Sequence, residues 1–135
     1  MGILPTMTRY AAFLRGVNVG GVNLKMADVA TTFRQAGFDD VSTLLASGNV
    51  VLSSTAKSAA VRTKAEAALR ESFGYDAWVL VYPVEELRTI SADFPFEREV
   101  DGHHSYITFV SDPDVLDELD ALEPVGDELI SRGHG

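Results

Sequence analysis

The sequence predicts an α+β fold, ordered β-α-β-β-α-β up to residue 82 with a partial second βαβ unit after it, and three observations predict it. Apolar residues recur at helical spacing over residues 26–36 and again over 58–73. Short apolar, mostly β-branched or leucine-rich runs flank those two stripes. Between the second and third runs, Ser47-Gly48-Asn49 marks a tight hairpin and not a helical crossover.

Arg9 to Arg15 reads as the first strand. Gly16 to Leu24 follows as a loop, carrying Gly16, Gly20, Gly21, Asn18 and Asn23. Met26, Val29, Ala30, Phe33 and Ala36 line one face of a helix, which Gly37 ends in left-handed backbone. Val41 to Leu45 and Val50 to Ser53 are strands joined by Ala46 to Asn49, where Gly and Asn tolerate positive φ. A second helix runs from about Ser58 to Phe73, with Val61, Ala65, Ala68, Leu69 and Phe73 inward and Gly74 closing it. Trp78 to Tyr82 is the fourth strand. This is the ferredoxin-like, split βαβ order, which right-handed crossovers leave few other ways to arrange.

After Pro83 the sequence predicts a short helix on Val84, Leu87 and Ile90, then the irregular Asp93 to Phe96. Ser105 to Val110 reads as a strand, and Asp112-Pro113 has the form of an N-cap with an N1 proline. The helix it opens places Val115, Leu116, Leu119 and Leu122 on one side, and Asp127 to Arg132 starts a further strand. The expected division is therefore a subdomain over 8–82 and an incomplete βαβ-type subdomain over 83–135 packed on it. No repeat is visible residue by residue. Strands Ala11 to Leu14 and Trp78 to Tyr82 are apolar on both faces, so the face away from the helices requires a cover. The C-terminal segment or another copy in a homo-oligomer would supply it.

The chain has 135 residues, 46% hydrophobic and 23% charged, which suits a folded domain with a real core. No apolar run reaches the length of a membrane span, and the first residues lack the basic and apolar regions of a signal peptide. Met7 is an alternative start. There is no cysteine, and the expected location is cytoplasmic. Residues 1–75 hold eight Lys/Arg and five Asp/Glu, whereas 76–135 hold three and fifteen, giving −9 overall. That distribution argues against a nucleic-acid partner and confines any anionic small ligand to the first half. The acids are scattered along an amphipathic pattern, as on a solvated face.

One polar edge stands out. Arg15, Asn18, Gly20, Gly21, Asn23 and Lys25 lie between a strand and a helix, where backbone N–H groups and two cations face an anion. In the split βαβ arrangement the first strand ends at the edge where the second and third turn, so these residues should lie near Ser47, Gly48 and Asn49. The fourth strand, read as parallel to the first, would finish there too and bring Tyr82 close. Equally, the glycines and asparagines need do no more than build irregular turns. The loop lacks the Gly-Lys-Ser/Thr of a Walker motif, and its glycine intervals are wrong for the dinucleotide fingerprint. Adjacent His103 and His104 point to opposite sides of extended backbone, so no metal site and no cofactor is expected. The pairs Asp39-Asp40, Glu85-Glu86 and Asp117-Glu118 fall on turns or exposed helix faces, and Ser47 has no evident base. No catalytic residue is assigned, and enzyme status stays open.

The segment Arg15-Gly-Val-Asn-Val-Gly-Gly-Val-Asn-Leu-Lys-Met26, with Leu45-Ala-Ser-Gly-Asn-Val50, resembles the bacterial family called domain of unknown function 1697. Asp93-Phe-Pro-Phe96 is similar to that family's Asn-Pro-Phe region, and the resemblance covers about residues 8 to 132. It implies a ferredoxin-like first half, a related second half, a bacterial cytosolic protein, and no particular activity. It also implies that this chain is shortened at its C-terminus, because members continue past the position of Arg132 with another strand and a basic stretch. Three functional classes follow: a small anionic-ligand-binding domain, an enzyme using the same polar edge, and a homo-oligomeric or protein-interaction module.

Overall fold

The computed structural model describes residues 6–17, 23–44, 48–96, 102, 107–122, 129, 131 and 132. They form two compact units, Met1–Leu87 and Arg88–Gly135. The first contains β1 (Thr8–Leu14), α1 (Met26–Gln35), β2 (Asp39–Leu44), β3 (Asn49–Ser54), α2 (Ser58–Phe73) and β4 (Val79–Pro83). Helix α3 (Val84–Ala92) spans the division, and α4 (Pro113–Asp120) belongs to the second unit. The fold is α+β.

The sheet has the order β2-β3-β1-β4, and every neighbouring pair is antiparallel. Two βαβ units are thus interleaved: β3 lies between β1 and β2, and β1 between β3 and β4. This corrects the direction expected for the fourth strand. Because α2 carries the chain back to start β4 parallel to β3, and β3 runs against β1, β4 must also run against β1.

One face of the sheet is the core. Tyr10, Ala12 and Leu14 of β1, Val50 and Leu52 of β3, Val41 of β2 and Val79 of β4 are all buried there. Val29, Ala30 and Phe33 of α1, with Val61, Ala65 and Leu69 of α2, pack onto them at the helical spacing seen in the sequence. The Phe33 and Phe38 rings stand 5.7 Å apart. Buried Tyr10 keeps its hydroxyl satisfied by donating to the Ala56 carbonyl at 2.7 Å. Gly74 closes α2 at φ 68°.

The other face carries two cross-strand rows. Leu44, Asn49, Phe13 and Leu80 form one; Ser42, Val51, Ala11 and Tyr82 form the next. Ala11 is buried and Leu44 is exposed, while Phe13, Val51, Leu80 and Tyr82 are half-buried. On the outer strand β2, the register slips between Asp39 and Ser42. Asp40 takes φ 47° at this bulge, and Arg9 Nη1 donates to its carbonyl at 2.9 Å. Asp39-Asp40 therefore sits in a strand, not in a turn.

In the second unit, Asp112 caps α4 as expected, its Oδ1 accepting from the Asp114 N–H at 2.9 Å. The apolar stripe of Val115, Leu119 and Leu122 is exposed. Ile107 to Val110 are not in a strand, contrary to the alternation over Ser105 to Val110, whose first two residues lie outside those described. A strand needs a ladder partner, and the second unit has no other strand among its described residues. Of the expected strand Asp127 to Arg132, Leu129, Ser131 and Arg132 are described and are not in one.

Candidate functional site

The rim where β1 ends is assembled by backbone chemistry. Leu14 N–H donates to the Gly48 carbonyl at 2.8 Å, tying the end of β1 to the β2–β3 connection. Gly48 has φ +91°, and a Cβ there would lie 3.0 Å from Leu14 Cβ and 3.4 Å from Val17 Cβ. A side chain would hold the two segments apart, so glycine permits the approach. Asn49 is half-buried in regular β3, paired with Phe13 on one side and Leu44 on the other. Of the two described residues here, Gly48 and not Asn49 takes the positive φ.

The loop leaving β1 is anchored at both ends. Val17 is 2% exposed, and Leu24 and Met26 pack against the core from the far end. Arg15, Gly16, Asn23 and Lys25 are exposed beside those anchors. Lys25 is also the N-cap of α1, whose N-terminus no side chain caps. Among the described residues, neither Arg15 nor Lys25 is ion-paired. The structure therefore gathers Arg15, Gly48 and Asn49 at the ends of adjacent strands and sets Asn23 and Lys25 on the loop's return. Asn18, Gly20, Gly21 and Ser47 lie outside the described residues.

Tyr82 does not belong to this rim. It pairs with Ala11, three residues before Leu14, because β4 starts at the rim and runs away from it. Its ring stands 6.3 Å from that of Phe13, and its hydroxyl is pushed above its ordinary 10.0 by burial first and by the Glu86 carboxylate second. Trp78 takes the place expected for Tyr82. The Arg15 N–H donates to the Trp78 carbonyl at 3.0 Å, one step past the Leu14–Val79 pair. Sequence reasoning missed Trp78 by running the fourth strand in the wrong direction; the crossover argument above would have found it.

Beside the rim, Glu66 Oε2 accepts from the Val79 N–H at 3.0 Å and lies 3.5 Å from Arg62 Nε. Arg62 in turn stands over the Trp78 ring, 5.9 Å from its centroid. Among the described residues no three His, Asp or Glu side chains form a group suited to a metal ion. No helix among them is long and apolar enough to cross a membrane. His103, His104 and His134 lie outside the described residues.

Comparison with known proteins agrees with this architecture. A solved structure of a conserved bacterial protein from Streptococcus pneumoniae superposes with a TM-score of 0.77 at 22% identity, covering 96% of this chain and 73% of that one. At that identity the likeness is one of fold. No curated protein matches the sequence. The model of a family described as protein of unknown function, DUF1697, matches residues 7–133. With nearly all its length so matched, the chain belongs to the DUF1697 family.

Proposed function

We propose that the protein is a small-ligand-binding domain whose rim takes an anionic, phosphate-bearing metabolite. The observation that carries this reading is the tie between Leu14 and Gly48, which sets Arg15 beside the β2–β3 connection. Arg15 and Lys25 are exposed there, and the uncapped N-terminus of α1 adds backbone donors and the positive end of the helix dipole. Asn18, Gly20, Gly21, Asn23, Ser47 and Asn49 belong to the same loops and complete the proposed binding set. The reading involves no metal, cofactor, nucleic acid or membrane, and its setting is the cytoplasm.

The test is thermal shift with inorganic phosphate and ribose 5-phosphate. A ligand at a hundred times its Kd stabilises the folded state by about 2.7 kcal/mol. Arg15→Ala should abolish the shift; a shift of unchanged size in that variant removes the rim from consideration. Turnover of a binding compound would make the domain an enzyme. A second reading, an interaction module, draws on the exposed Val115 and Leu119 of α4 and Leu122 just beyond it. Strictly monomeric light scattering would count against its homo-oligomeric form.

A further inference from the structure

The rim has an aromatic member that phosphate binding alone leaves without a use. Arg15 and Trp78 face each other across the end of the β1–β4 ladder through the 3.0 Å backbone bond. Directly opposed residues of an antiparallel pair have Cβ atoms about 5 Å apart. Trp78 is the only tryptophan in the chain and is 46% exposed. Burying more of so large an apolar side chain would be favourable by about 25 cal/mol per Å² removed from water.

Its exposed indole is nevertheless oriented. Nε1 donates to Asp76 Oδ2 at 3.3 Å, and Asp76 is itself paired with Arg70 at 3.6 Å. The Arg62 guanidinium stands 5.9 Å from the ring centroid, held by Glu66. An aromatic plate fixed by its own N–H and by a neighbouring cation, yet open to solvent, has the attributes of a surface on which a planar ring stacks.

Resting on the anion reading above, we infer that the ligand is a mononucleotide: its phosphate meets Arg15 and Lys25, and its base stacks on Trp78. Arg15 and Trp78 stand at the adjoining ends of β1 and β4, so one small molecule with a phosphate and a ring joined through a sugar reaches both. Stacking of a base on an aromatic side chain contributes about 1–3 kcal/mol, which is about 5- to 150-fold in affinity.

The experiment compares AMP with ribose 5-phosphate, which lacks only the base, by calorimetry and by quenching of the Trp78 fluorescence. The expected result is quenching by AMP and at least a fivefold affinity advantage for AMP. Trp78→Leu should reduce that advantage to about one, and Trp78→Phe, which keeps a ring, should retain part of it. Urea midpoints of both variants report whether they fold. Equal affinity for the two compounds overturns the nucleotide inference and leaves the anion reading standing. An AMP advantage that survives Trp78→Leu also overturns it. Binding of neither compound, nor of inorganic phosphate, overturns both.

Discussion

Leu14 and Gly48 meet so closely that a bond of 2.8 Å joins their backbones while a methyl group on Gly48 would come within 3.0 Å of the Leu14 side chain. Gly48→Ala therefore combines left-handed strain, about 1–2 kcal/mol, with overpacking of about 1–3 kcal/mol. Gly74 has φ +68° but nothing within 4 Å of an added Cβ, so Gly74→Ala carries only the strain. The urea midpoint should fall two- to threefold further for Gly48→Ala, with the slope unchanged in both.

The Tyr75 hydroxyl is buried and finds no hydrogen-bond partner among the described residues, and that burial pushes its pKa above 10.0. Tyr75→Phe removes an unsatisfied group at almost no change in shape, and should stabilise the protein by about 1 kcal/mol. A rise of about 3–5 °C in Tm is the expected reading; a fall would mean that the hydroxyl has a partner in solution.

Tyr75 and Tyr82 both hold their protons more tightly folded than unfolded. The stability this supplies is fully present below pH 10.0, the ordinary tyrosine value, and is lost as pH rises through the higher folded values. Urea midpoints should therefore decline on the alkaline side of 10.0, less steeply in Tyr82→Phe. Glu86→Gln should lower the Tyr82 titration midpoint, read by ultraviolet absorbance, by removing the second cause of its rise.

Glu66 serves the sheet through one oxygen, which accepts the N–H of buried Val79. Glu66→Ala leaves that donor unpaired, at about 1–3 kcal/mol. Glu66→Gln keeps an acceptor and loses only the pairing with Arg62, whose side chain is 37% exposed, so less than about 1 kcal/mol is expected. Similar losses in the two variants would show that charge, not hydrogen bonding, holds the strand.

Much of the first unit was legible because its signals are local. The 3.6-residue stripe over Val61, Ala65 and Leu69 coincides with the buried face of α2, and Gly37 and Gly74 mark helix ends by positive φ. Strand direction is not local, so the sequence alone sets Tyr82 on the rim in place of Trp78. In the second unit the Asp112 cap and its helix were legible too, but the strand over Ser105 to Val110 failed for a related reason: alternation over Ile107 to Val110 provides a face but not the neighbouring strand that would make it a ladder. Of the site, Arg15, Gly48 and Asn49 are brought together by β1 pairing with β3, which the split βαβ order implies.

The two outer strands share a consequence for growth of the sheet beyond one molecule. On β2 the bulge at Asp40 breaks the even run of donors and acceptors, and on β4 the Glu66 carboxylate already occupies the Val79 N–H while Pro83 offers none. A foreign strand arriving at either margin would find its first contacts taken or out of step. These features disfavour fibrillar polymerisation and dimers made by continuing the sheet, and leave faces and helices as the better surfaces for association.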